Sequence, residues 1–173
     1  MLRQRAAEVT EIDGRIAQLA QDMIETMHDA PGVGLAANQV GVLKRVFVYD
    51  LGDGSGPRAV VNPVISDTRD EWVFEEGCLS IPGLTAEVAR PKEVHFTAVD
   101  LDGGDVSFDA DELLARVLQH ELDHLDGVLF IDRLEPDERK QALRTIRELQ
   151  MAGGDVWGAE VVAPDRGLRL PGR

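Results

Sequence analysis

Between Arg45 and Phe108 the chain carries five short β-rich stretches, at residues 45–50, 58–65, 72–74, 93–101 and 106–108, with turn signals and no helical period between them. Parallel neighbours need long crossovers, usually helices, so strands that follow one another through turns pair antiparallel. Turn residues at 52–57 and the Asp102-Gly103-Gly104 step mark two of the connections, and the second is spaced for a hairpin. Helical periodicity is confined to the flanks. Ile16, Leu19, Ala20, Met23, Ile24 and Met27 follow the i, i+3, i+4 rhythm behind Asp13, a candidate N-cap, and Pro31-Gly32 ends that run. A second helix is predicted over 111–126 with Gly127 as its C′ residue, and a third from Pro136 to 151. The pattern predicts an α+β fold and argues against a doubly wound parallel sheet.

A length of 173 residues, 43% of them apolar, suits one domain that buries its own core. Residues 1–152 are expected to form it. Residues 153–173, with five Gly and two Pro, read as an irregular C-terminal tail. The formal charge of −14 argues against direct nucleic-acid or membrane-surface binding, which depends on clustered Lys and Arg. A single cysteine, Cys78, excludes an intrachain disulfide, and no apolar run matches a signal segment or a membrane span. Those features predict a cytoplasmic protein. Nine acids against one Arg between Asp100 and Asp126 read as a solvated face.

The stretch richest in chemistry is His120-Glu121-Leu122-Asp123-His124. At about 100° per residue, His120 and His124 lie about 40° apart, one helical turn from each other, so both imidazoles reach one metal ion. Glu121 sits about 60° to the side, near enough to meet a water there without being a ligand. Leu113 and Val117 share the face of His120, which places the histidines beside apolar surface. The same pattern also arises by chance in helices whose histidines bind nothing. A metal needs a third ligand, and His28 and His95 have no acidic or thiol companions at ligand spacing. Cys78, in Glu75-Glu76-Gly77-Cys78-Leu79-Ser80-Ile81-Pro82, is the stronger candidate, although a lone apolar-flanked Cys is also an ordinary core residue. One thiolate with two imidazoles leaves a coordination position open, as catalytic sites do.

Three segments, Gly32-Val33-Gly34-Leu35-Ala36-Ala37-Asn38-Gln39, Glu76-Gly77-Cys78-Leu79-Ser80 and Gln119-His120-Glu121-Leu122-Asp123-His124-Leu125-Asp126-Gly127, resemble the three signature motifs of peptide deformylases, in the family's order. The resemblance implies antiparallel sheets packed around a central helix that bears the HExxH-type motif, with a C-terminal helix. It implies Cys78, His120 and His124 as metal ligands and Glu121 as general acid and base. The Gln39 amide and the Leu79 backbone N–H would stabilise the oxyanion. Val33 and Gly34 would hold the substrate peptide, and Leu113 and Val117 would line the methionine pocket; as residues alone, these two are equally plain core. The implied activity is removal of the N-formyl group from the N-terminal methionine of new proteins, with release of formate.

The family's native ion is ferrous iron, with zinc, nickel or cobalt able to occupy the site, whereas ligand softness alone points to zinc. N-formylmethionyl nascent peptides are the implied partners, with transient ribosome proximity. Residues 135–150 carry four basic and four acidic side chains, so docking by charge is not supported. Glu76, Arg90 and Asp123 are candidate outer partners for the ligating imidazoles. Asn38 stands where the family more often has Pro, so a less rigid loop is expected. Thr85 stands where many members have Arg. The chain starts later than most relatives, and an edge strand is expected to be missing. Two other classes stay open: a non-catalytic metal-binding module, and a thiol hydrolase built on Cys78 and a histidine.

Overall fold

The structure, a computed structural model, describes residues 1–151. The 153–173 tail lies outside the described residues. Helix α1 (Gly14–Asp29) leads through strand β1 (Gly34–Ala36) and a 3-10 turn (Ala37–Val40) into β2 (Val46–Tyr49), β3 (Arg58–Arg69), β4 (Trp72–Cys78), β5 (Ile81–Arg90), β6 (Glu93–Val99) and β7 (Asp105–Asp111). Helix α2 (Glu112–Leu125), a second 3-10 turn (Phe130–Arg133) and α3 (Pro136–Met151) follow. The class is α+β with antiparallel pairing, as the strand succession predicts.

Five strands form one antiparallel sheet in the order β1-β2-β3-β6-β7, and β4 with β5 form a separate two-stranded sheet. Period-two alternation explains why the larger sheet is buried on both faces. Phe47, Val60, Val94 and Phe96 point to α2 and pack with Ala115, Leu118 and Leu125. Leu35, Val46, Val48 and Val61 point the other way, onto Ala20, Met23 and Met27 of α1. The motif helix α2 is therefore the central one. A third cluster joins Ile81 and Val88 of the small sheet to Phe130, Ile131, Ala142 and Ile146. The C-terminal helix covers this smaller sheet.

Helix ends follow their residues. Asp13 caps α1, its carboxylate accepting from the N–H groups of Arg15 (2.9 Å) and Ile16 (3.1 Å). Gly127, at φ 76°, closes α2: its N–H donates to His124 O at 3.0 Å, and Val128 N–H donates to Asp123 O at 2.8 Å. That pair of bonds is the Schellman closure. Ahead of α1, Ala6 N–H donates to Leu125 O at 2.7 Å and Ala7 bridges Lys44 in parallel, so the start of the chain is pinned beside the end of α2.

Strands β3 and β7 run longer than the expected 58–65 and 106–108, and β1, its 3-10 turn, β4 and β5 differ more from the sequence expectation. Strand β1 and its 3-10 turn lie where a loop is expected, because three residues are too few to show a period. Strand β4 runs on from Phe74 to Cys78 through Glu75-Glu76-Gly77, residues of low strand propensity. Strand β5 lies where no strand is expected, and the Pro82-Gly83 step near its start is a local turn signal. Its inward residues nevertheless alternate through Leu84, Ala86, Val88 and Arg90. The pairing slips between Gly77 and Cys78, an irregularity of the kind that re-aims a side chain next to a functional site.

Among the described residues, no helix is long and apolar enough to cross a membrane. The solvated-face reading of residues 100–126 holds for Asp102, Asp105, Asp109, Asp111, Glu112 and Asp126, which are exposed. Glu121, Asp123 and Arg116 depart from it and are buried: α2 turns Arg116 and Asp123 toward the small sheet and Glu121 toward Gly34 of β1.

Gly127→Ala is expected to destabilise the fold by about 1–3 kcal/mol, since alanine resists the left-handed region. Its Cβ would also meet the Arg3 backbone at 2.8 Å. A urea-denaturation midpoint unchanged from wild type would contradict this.

Candidate metal centre

Two elements converge on one point. Cys78 arrives at the irregular end of β4, and His120 and His124 project one turn apart from α2. Cys78 Sγ lies 3.2 Å from His124 Nε2, and His124 Nε2 lies 3.2 Å from His120 Nε2. All three donor atoms fall within 4.8 Å of one another. The spacing between ring nitrogens is close to the roughly 3.3 Å edge of a tetrahedron with ordinary metal–nitrogen bonds. Two imidazole nitrogens and a sulfur crowded this closely repel unless protons or a cation lie between them. Donor types and spacing both suit a divalent ion of the borderline series.

The electrostatics point the same way. Burial works to raise the Cys78 thiol, but His124 and His120 outweigh it and hold the group well below the usual thiol range. Burial works to lower His120, while Cys78 and Glu76 hold it well above the usual imidazole range. Glu76 accepts from His120 Nδ1 at 3.1 Å. Burial opposes ionisation of Glu76, yet hydrogen bonds from His120 and Arg90 bring its carboxyl down to about 2. An ionised carboxylate only accepts, so Nδ1 of His120 carries a proton, which leaves Nε2 as the ring nitrogen that a metal ion would take in place of a second proton.

The expected outer partners assemble around this carboxylate. Arg90 donates to Glu76 through Nε (2.6 Å) and Nη2 (3.0 Å) and to Asp123 through Nη1 (2.8 Å). Arg116, one turn before His120, donates to Glu76 Oε1 (2.5 Å), Val88 O (3.0 Å) and Trp72 O (2.5 Å). Its guanidinium lies 4.9 Å from the Trp72 ring centre. Sequence reading missed Arg116, although its i−4 spacing from His120 was visible. It also missed Arg133, which pairs with Asp123, and Phe130, whose ring stacks on His120 at 6.4 Å. Neither carries a sequence signal.

Glu121 is buried beside the cluster, and its Oε2 has no hydrogen-bond partner among the described residues. Burial raises its carboxyl above the ordinary range, against the pull of His120 and His124. The carboxylate rests on Gly34, where a Cβ would overlap Oε1 and come within 2.8 Å of Cδ. Gly34 is therefore the only kind of residue that leaves Glu121 where it is.

Gln39 is held by its own loop. Its Oε1 accepts from Ala36 N–H at 2.7 Å, which turns Nε2 toward Ser80 Oγ (3.0 Å) and Cys78 Sγ (3.8 Å). Asn38 does not loosen that loop: it is buried, and its amide donates to His124 O, which ties the 3-10 turn to α2. A cavity of about 930 Å³ opens over the cluster, with Val33, Leu79, Thr85, Leu113 and Val117 in its walls. Val117 is buried, but Leu113 is 44% exposed at the rim and is not the core residue its position suggested. His28 and His95 lie elsewhere, each hydrogen-bonded to one carboxylate, Asp50 at 2.9 Å and Asp109 at 2.7 Å.

Residues 1–140 match the family model described as polypeptide deformylase. A peptide deformylase of Acidothermus cellulolyticus is 47% identical over 170 residues, covering 98% of this chain and 93% of that protein. The crystal structure of the Thermus thermophilus peptide deformylase superposes with a TM-score of 0.82 at 40% identity, covering 87% of this chain and 90% of that one. A Synechococcus elongatus peptide deformylase, solved in complex with actinonin, gives 0.79 at 44% identity, covering 83% and 81%. The cluster on α2, the two antiparallel sheets and these likenesses agree: this chain belongs to the peptide deformylase family.

Proposed function

We propose that this chain removes the formyl group from N-formylmethionyl nascent peptides, with Cys78, His120 and His124 holding one divalent ion and Glu121 moving the proton. The observation that carries the reading is the convergence of a thiol and two imidazoles beside a buried carboxylate with one free oxygen. Ferrous iron is the native ion that the family reading implies, and zinc, nickel or cobalt suits the same donors. Bound there, the ion supplies Lewis acidity, which polarises a carbonyl and acidifies water.

The side chains supply the rest. A formamide resists hydrolysis because resonance stabilises its carbonyl and an amine leaves poorly. Glu121, with its carboxyl raised by burial, takes the proton of the attacking water and passes it to the departing nitrogen. The Gln39 amide, already oriented by Ala36 N–H, and the Leu79 backbone N–H meet the negative charge on the formyl oxygen. Such donors are often worth about 2.7–4 kcal/mol each. Backbone groups at Val33 and Gly34 hold the peptide, while Leu113 and Val117 receive the methionine side chain. Residues 1–152 form the catalytic domain in this reading, and a nascent substrate brings the enzyme transiently close to the ribosome.

Formate release from formyl-Met-Ala-Ser by anaerobically purified, metal-loaded protein tests the proposal. Activity abolished by a chelator and restored by metal supports it. Loss on thiol alkylation with indifference to chelators would favour a thiol hydrolase instead. Glu121→Ala should keep its metal and lose turnover by about 10²–10⁴-fold. Cys78→Ser should lose or loosen the metal, as elemental analysis of the purified variant will show. Gly34→Ala pushes the Glu121 carboxylate from its seat, so kcat should drop by at least about tenfold with metal content retained. Val117→Trp should raise KM for formyl-Met peptides, and unaltered kinetics would return Val117 to the core.

A further inference from the structure

Asp123 is buried within the motif helix, yet it touches neither the ligand cluster nor the cavity; its partners lie behind the site. Arg90 donates to its Oδ2 at 2.8 Å. From the opposite side Arg133, in the Phe130–Arg133 turn, grips the same carboxylate with both prongs, Nε to Oδ2 at 3.1 Å and Nη2 to Oδ1 at 2.5 Å. A chain of alternating charge thus runs Arg133, Asp123, Arg90, Glu76, and ends on Nδ1 of His120. The same turn also lays the Phe130 ring on His120 at an interplanar angle of 23°. Two independent contacts from one short segment therefore reach one imidazole.

We infer that Arg133 is a positioning residue for His120, setting the hold on the metal from outside the three motif segments. The inference rests on the ligand assignment proposed above. Arg90 divides its donors between two carboxylates, two to Glu76 and one to Asp123. With Arg133 in place, Asp123 is satisfied by two guanidinium groups and leaves Arg90 seated on Glu76. Without it, a buried carboxylate keeps a single cationic partner and draws Arg90 toward itself, because an under-compensated buried charge is costly. Glu76 then grips the His120 N–H less firmly, and the turn that carries Phe130 loses its bidentate tie to α2. A fork matters here more than a point charge, so lysine is a poor replacement.

The test is the rate at which zinc-loaded protein releases its ion to a colorimetric chelator, beside the visible absorption of the cobalt-loaded form. Loss of a direct partner of a ligating imidazole, as Glu76 is of His120, typically weakens metal binding about 10–100-fold, and a residue that acts through it belongs at the lower end of that range. Arg133→Gln is expected to release zinc at least about tenfold faster, with altered cobalt bands, a lower kcat and an unchanged KM. Arg133→Lys should fall between it and wild type. Arg139→Gln, which removes an exposed partner of Asp132 on the same turn, should match wild type in every readout. Release from Arg133→Gln at the wild-type rate overturns the inference alone; if that variant does not fold, a wild-type rate from Arg133→Lys does the same. A wild-type chain that takes up no ion, or keeps one in Cys78→Ser, overturns the ligand reading and this inference with it.

Discussion

Glu76 is the point at which the separate pieces of this molecule are made to agree. Its carboxylate, 6% exposed, receives Arg90 from β5, Arg116 from α2 and the His120 imidazole. The small sheet shares its apolar cluster with α3 and the second 3-10 turn, whereas α2 shares its own with the large sheet. Between those two cores the joint is ionic. Removing one member of such a buried set costs about 3–5 kcal/mol, because the others are left charged and unpaired. The joint also sets the geometry of Cys78 against the histidines, since the thiol rides on the small sheet and the imidazoles ride on α2.

The chemistry of the cluster follows from that joint. Glu76 orients one ring, the Asn38 amide engages the carbonyl of His124, and Gln39 is aimed by Ala36 N–H. Each acts on a group whose direction matters more than its presence. Glu121 is treated differently. It is buried with a free oxygen against the bare backbone of Gly34, an arrangement that costs stability and leaves a proton acceptor uncommitted. Glu121 Oε2 has no partner among the described residues, and neither have Asn38 Oδ1, Arg116 Nε and His124 Nδ1, so the polar surroundings of the cluster are only partly satisfied.

Much of the fold could be read from local pattern. Asp13 and Gly127 mark helix ends through hydrogen bonds that involve only near neighbours, and both act as read. Pro136 opens α3 for the same reason. Strand β5 escaped because Pro82-Gly83 carries a local turn signal that pairing with β4 overrides, and because its polar residues face solvent on a sheet of two strands. Among the acids of 100–126, Glu121 and Asp123 misled in a similar way, while most of the others are exposed as their charge suggests. Charge in a sequence gives no hint of which charges a second sheet will cover.

Along the chain, residue type and helical pitch suffice to put His120, Glu121 and His124 on neighbouring faces of one helix, since a turn is a local object of fixed period. The resemblance to the family's motifs adds Cys78 and Gln39. Folding in three dimensions added the distances: a thiol 46 residues away brought to 3.2 Å of His124 Nε2, and a glycine of β1 set under a carboxylate of α2. Arg116 and Arg133 enter the network for that reason alone. Their partners lie on other elements, and a contact between distant segments depends on how whole layers pack, which no local periodicity encodes.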